Sequence, residues 1–121
     1  MPTHKLVAIV DDDSSALAAL LSLVNAFGYR TIGFADPVEF LASAAPRAVA
    51  CLIADMRLPG ISGIMLHQRL LRDGICLPTI LVTAYPDDAT GAWAMKAGVR
   101  AYLAKPVEPE CLLAYLIAAT A

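Results

Sequence analysis

Leu52-Ile53-Ala54-Asp55-Met56-Arg57-Leu58-Pro59-Gly60 is the stretch from which the rest of the chain can be read. A short apolar run ends abruptly in one carboxylate, and Pro59 and Gly60 interrupt any helix that would follow. An acid at the exit of a buried strand stands at the rim of a sheet, where parallel α/β folds place their chemistry. The central expectation is that Asp55 accepts phosphate. The other polar groups of consequence then serve its negative charge.

Outward from that stretch, strands and helices alternate. Ala50 to Ala54 is a third strand that delivers Asp55. On its C-terminal side, Ser62 caps a helix carrying Ile64, Leu66, Leu70 and Leu71, which closes near Asp73-Gly74. Pro78 to Thr83 reads as a fourth strand, with its proline at the first residue, where a strand tolerates one. A weaker helix runs from about Asp87 to Ala97 and stops at Gly98. Ala101 to Ala104 is a fifth strand ending in Lys105-Pro106, and a last helix from Glu108-Pro109 carries Leu112, Leu113, Leu116 and Ile117. On the N-terminal side, Lys5 to Val10 is an apolar run suited to a strand covered on both faces. Asp11-Asp12-Asp13 follows it, then a helix with Leu17, Leu20, Leu21 and Val24, ended by Gly28. Arg30 to Phe34 is the second strand. Asp36-Pro37-Val38-Glu39 starts a helix, with Asp36 as cap and Glu39 set to complete a capping box.

Five strands alternating with five helices imply one doubly wound, five-stranded parallel sheet, a flavodoxin-like (βα)5 domain over residues 1–121. With strand order 2-1-3-4-5, strands one and three are neighbours at the topological switch point, where such sheets bind ligands.

Composition narrows the function. A chain that is 59% hydrophobic and 17% charged is globular, and a net charge of -2 offers no basic footprint for nucleic acid. The longest apolar stretch, Cys111 to Ala121, is too short for a membrane span, and Met1 to Lys5 lacks the apolar core of a signal peptide. A cytoplasmic protein is expected, with Cys51, Cys76 and Cys111 as reduced core residues. His4 and His67 read as ordinary surface residues, and Trp93, Tyr102 and Tyr115 as packing aromatics.

Four strands end in residues that suit one chemistry: Asp11 and Asp12, Asp55, Thr83, and Lys105. Crowded carboxylates repel unless a cation intervenes, and hard oxygen ligands suit Mg²⁺. Phosphoryl transfer is mostly positioning and charge neutralisation. Asp55 would attack in line, while Lys105 and the Thr83 hydroxyl meet phosphoryl oxygens. The acidic run could instead simply cap the first helix, and Asp13 keeps that reading. A rival enzyme is an aspartate-nucleophile phosphatase using Asp11 and Asp13, but the chain leaves no room for the cap such enzymes carry. A nucleotide- or flavin-binding domain is disfavoured because no Gly-rich loop follows a strand.

Taken together, Ile9 to Asp13, Asp55 to Gly63, Leu81-Val82-Thr83-Ala84, and Ala94 to Gly98 running on to Tyr102-Leu103-Ala104-Lys105-Pro106 carry a specific likeness. The chain resembles the CheY-like receiver domain of two-component response regulators, most closely the FixJ type, over nearly its whole length. The resemblance implies that Asp55 takes phosphate from a sensor histidine kinase. It implies Mg²⁺ ligation by Asp12, Asp55 and the Arg57 backbone carbonyl, with Asp11 acting mostly through water. It also implies a cis Lys105-Pro106 peptide and a switch in which Thr83 and Tyr102 move together. That motion would reshape the face of helix four, strand five and helix five, where such domains dimerise or meet an output domain. Arg57 and Tyr85 fall at positions that tune dephosphorylation, and a bulky Tyr85 is expected to lengthen the phosphate's life. A C-terminal DNA-binding module outside this chain and a transcriptional output are the implied partners.

Overall fold

A computed structural model describes residues 5–121; His4 lies outside them. The five strands are β1 (Leu6–Val10), β2 (Arg30–Phe34), β3 (Cys51–Asp55), β4 (Thr79–Thr83) and β5 (Ala101–Ala104). The main helices are α1 (Ser14–Ala26), α2 (Pro37–Ala42), α3 (Gly63–Arg72), α4 (Asp88–Lys96) and α5 (Pro109–Thr120). The strands form one parallel sheet in the order β2-β1-β3-β4-β5. This is the doubly wound arrangement expected from the alternation of elements.

Side-chain alternation along the central strands builds the two layers. Val7, Ile9, Ile53, Ile80 and Val82 point to one face, where they meet Leu20 and Val24 of α1 and Leu112 and Leu116 of α5. Ala8, Val10, Leu52, Ala54 and Leu81 point to the other, packing against Phe40 of α2, Ile64, Leu66 and Leu70 of α3, and Ala94 of α4. Each large aliphatic side chain buried in this way contributes about 1.5–3 kcal/mol. Continuous apolar runs in β1, β3 and β4 are thus the mark of strands buried on both faces.

Local chemistry starts the helices where the sequence indicates. The Asp13 carboxylate accepts from the Ser15 and Ala16 N–H groups, Asp36 from Val38, Ser62 from Met65 and Asp87 from Thr90. Asp36 acts as a simple cap, with Glu39 in the first turn of α2. At the far end of α5, Thr120 donates to the Leu116 carbonyl at 2.7 Å and takes the Tyr29 hydroxyl at 2.9 Å, while Lys5 Nζ donates to the Thr120 carbonyl.

Several expectations need correction. The third strand is displaced by one residue and includes Asp55. Ala45–Ala48 forms an extra helical turn, and Arg57–Leu58 pairs antiparallel with Ile61–Ser62 in a small hairpin after Asp55. Ile117 is exposed because, one residue on from Leu116, it lies about 100° round the helix from the buried stripe of Leu112, Leu116 and Thr120. Leu71 is exposed as well. Only Cys51 is a core cysteine; Cys76 and Cys111 are exposed. Burial pushes the Cys51 thiol up to about 12, which keeps it protonated and unreactive. Trp93 and Tyr115 stand at the surface rather than in the core.

His67 is the largest departure. It is a buried residue, with Nδ1 2.9 Å from Thr79 Oγ1 and Nε2 3.1 Å from the Ala97 carbonyl. Its position midway along α3 faces the sheet, so the imidazole ties α3 to the start of β4 and the end of α4.

Candidate functional site

The register of the sheet brings the polar strand ends to one rim. Val10 pairs with Ala54, so Asp11 and Asp55 leave neighbouring strands side by side. Thr83 pairs with Ala104, which sets Lys105 one residue beyond it. One carboxylate oxygen each from Asp11, Asp12 and Asp55 lies within 4.8 Å of the others.

Within this cluster burial separates the three acids. Asp11 is fully buried, Asp55 half-buried and Asp12 exposed. Asp11 is held on three sides: its N–H donates to the Phe34 carbonyl at 3.0 Å, Oδ1 accepts from the Asp13 N–H at 3.0 Å, and Oδ2 accepts from Lys105 Nζ at 2.8 Å. The same ammonium lies 3.5 Å from Asp55 Oδ1. The Lys105–Pro106 peptide is cis.

Electrostatics follow from this geometry. Burial raises the Asp55 carboxyl above its ordinary range; the Lys105 charge opposes this and the Asp11 charge reinforces it. Lys105 is itself shifted upward: burial pulls it down, but the hydrogen bond and charge of Asp11, and then Asp55, outweigh that. Three carboxylates facing one ammonium leave an excess of negative charge, and their hard oxygen donors fit Mg²⁺. The fit lies in this donor set.

Gly63, quoted in the sequence motif without a role, controls how closely α3 approaches the acid. A Cβ there would lie 2.6 Å from the Asp55 carbonyl oxygen and 2.7 Å from Leu81 Cδ2. The Gly63 N–H donates to the Met56 carbonyl at 2.9 Å, and the Met56 N–H donates to that of Val82 at 2.8 Å. Only a residue without a side chain lets α3 begin against the backbone of Asp55.

Thr83, Tyr85, Arg57 and Tyr102 border the acids. The Thr83 hydroxyl is buried and accepts from the Tyr85 N–H at 3.1 Å. The Arg57 guanidinium lies over the exposed Tyr85 ring at 4.6 Å. The Tyr102 hydroxyl accepts from the Asp87 N–H at 3.2 Å. A cleft of about 660 Å³ has Arg57, Thr83, Tyr85 and Tyr102 in its wall, with Met56 and Met65, and flanks the acids without enclosing them. Among the described residues, no helix is long and apolar enough to cross a membrane.

Comparison with known proteins agrees with this arrangement. A family model described as the response regulator receiver domain matches residues 7–117. Nodulation protein W of Bradyrhizobium diazoefficiens is 36% identical over 118 residues, covering 98% of this chain and 52% of that protein. Transcriptional regulatory protein FixJ of Azorhizobium caulinodans is 30% identical over 114 residues, 94% of this chain and 54% of that protein. The chain therefore spans about half the length of these curated relatives. The crystal structure of FixJ-N matches with a TM-score of 0.87 at 28% identity, covering 98% of this chain and 94% of that one.

Proposed function

Because the chain belongs to the response regulator receiver domain family, we propose that it is a phosphorylation-switched signalling module whose acceptor is Asp55. The observation that supports this best is the meeting of Asp11, Asp12 and Asp55 within 4.8 Å while Lys105 Nζ contacts both Asp11 and Asp55. The donor is a phosphohistidine on a sensor histidine kinase. A carboxylate oxygen of Asp55 attacks phosphorus, the new P–O bond forms, the P–N bond breaks, and the donor nitrogen keeps the electron pair.

The chain's own residues arrange that step. Asp12, Asp55 and the Arg57 backbone carbonyl would hold Mg²⁺, with Asp11 behind a water. Bound there, the ion supplies neutralisation of carboxylate and phosphoryl charge. Lys105, already anchored on Asp11, orients a phosphoryl oxygen. Thr83 turns from the Tyr85 N–H toward the phosphoryl group, and Tyr102 follows it. Arg57 and Tyr85, stacked beside the acceptor, restrict the water that would hydrolyse the product.

The change is read on the face of α4, β5 and α5; α4 carries the exposed Trp93 and α5 the exposed Tyr115. Phosphorylation of Asp55 promotes dimerisation through that face or engages an output domain, transcriptional by analogy with the named regulators. Identical sedimentation with and without beryllofluoride would remove the dimer. The module is not an enzyme acting on free metabolites, although it assists its own phosphorylation and dephosphorylation. Its place is the cytoplasm, where the kinase's catalytic portion would meet it.

Treatment with acetyl phosphate and Mg²⁺, followed by mapping of the phosphoryl group, tests the assignment. The label is expected on Asp55 and absent from Asp55→Asn. Label on Asp11 would instead favour the phosphatase reading.

A further inference from the structure

We propose, building on that switch, that Gly91 is a positioning residue for Tyr102: its missing side chain seats the ring on α4 and thereby fixes the loop between β4 and α4 to β5. Gly91 lies in the middle of α4, where glycine is unfavourable compared with alanine. The close approach of Tyr102 accounts for it. A Cβ at Gly91 would stand 3.1 Å from Tyr102 Cδ2 and 3.3 Å from Cε2. Those are ring atoms, so the contact cannot be relieved by folding away the end of a flexible chain. The ring as a whole has to move.

The ring is also tethered at its hydroxyl, which accepts from the Asp87 N–H. Asp87 is the N-cap of α4: its Oδ2 accepts from the Thr90 N–H at 2.9 Å and from the Thr90 hydroxyl at 2.6 Å. The Gly91 N–H donates to the Asp87 carbonyl at 2.9 Å, so the tether and the seat are one helical turn apart. Tyr102 thus grips the first turn of α4 at two points. At the other end of the loop, Thr83 holds the Tyr85 N–H. The two switch residues therefore hold the two ends of the same short loop, and moving the ring off Gly91 frees one of them.

Amide hydrogen exchange at Asp87 in the unphosphorylated protein, without Mg²⁺, reads the seat directly. Tyr102→Phe, which removes only the accepting oxygen, should speed exchange there about fivefold, the protection given by one ordinary hydrogen bond. Gly91→Ala should speed it toward the same rate, since moving the ring by a few tenths of an ångström stretches a bond already 3.2 Å long. The double variant should be no faster than Tyr102→Phe alone. Wild-type protection in Gly91→Ala, or a double variant equal to the product of the two singles, overturns the proposal. If Gly91→Ala fails to fold, adding Tyr102→Ala should restore the fold by removing the contact; persistent unfolding also overturns it. Phosphate uptake is measured separately. A wild-type protein that never takes phosphate from acetyl phosphate ends the receiver reading, while the exchange pattern alone decides the role of Gly91.

Discussion

Strand β4 carries a buried threonine at each end, and the two have different surroundings. Thr79, at the start, belongs to a closed network. The Ala97 carbonyl can only accept, so His67 Nε2 carries a hydrogen, and the neutral ring takes the Thr79 hydroxyl at Nδ1. The Leu77 carbonyl, 3.0 Å from Thr79 Oγ1, receives that hydroxyl hydrogen if the ring becomes charged. Thr83, at the other end, accepts one hydrogen bond, from the Tyr85 N–H, and stands beside an excess of negative charge. One end of the sheet is internally satisfied and acts as structure. The other is left electrostatically incomplete, and an incomplete cluster of charge calls for a ligand.

The largest effect should come from removing the ammonium at the incomplete end. Lys105→Met leaves Asp11 buried without its cation and should cost about 2–3 kcal/mol in urea unfolding without divalent ions. This lies below the range for a fully buried pair because the lysine side chain is 21% exposed. Added Mg²⁺ should recover part of that loss. A change under about 0.5 kcal/mol would show that the ion pair does not hold this rim together.

Gly63→Ala comes next, with an expected loss of about 2 kcal/mol, since the Asp55 carbonyl and Leu81 must both give way. Because the displaced backbone is that of Asp55, the proposed acceptor, phosphate uptake from acetyl phosphate should fall as well. A destabilised variant with unchanged uptake would confine Gly63 to packing.

The closed end gives a smaller effect and a contrary one. His67→Leu should cost about 1–2 kcal/mol, chiefly through the Ala97 carbonyl left without its partner while the Thr79 hydroxyl keeps the Leu77 carbonyl, with uptake of phosphate at Asp55 intact. Burial holds the imidazole below its ordinary value of 6.5, while the Ala97 carbonyl works in the opposite sense. The unfolded chain therefore binds the proton more readily. The stabilisation from His67 is fully present above pH 6.5 and is lost as pH falls below it, through the folded-state value. Thermal melts from pH 7.5 downward should show that decline in the wild type and a shallower one in His67→Leu. Parallel curves would remove His67 as the cause.

Smallest in stability is Tyr85→Gly, whose ring is exposed and stacks on Arg57. It should leave the melting temperature nearly unchanged yet hasten loss of the phosphoryl group severalfold. Decay no faster than wild type would show that the ring does not screen water.

What could be read from the chain was carried by local, one-dimensional signals. Apolar runs and helical spacings gave the order of elements, caps such as Asp13 and Ser62 bond within a few residues, and Asp55 closes its strand. Parallel pairing then limits the topology, because few right-handed windings exist. Contacts between distant segments carry no such mark. Lys105 reaches Asp11 across 94 positions; its place at a strand end marked it for a phosphoryl oxygen, and nothing in the spacing foretold its contact with Asp11. Whether His67 faces water or the sheet, and whether Cys76 is core or surface, depends on the rotation of each element against its neighbours. The need for glycine at 63 and 91 arises only when the Asp55 backbone and the Tyr102 ring come within contact distance. Sequence periodicity says which face of an element is apolar; packing in three dimensions decides which atoms that face meets.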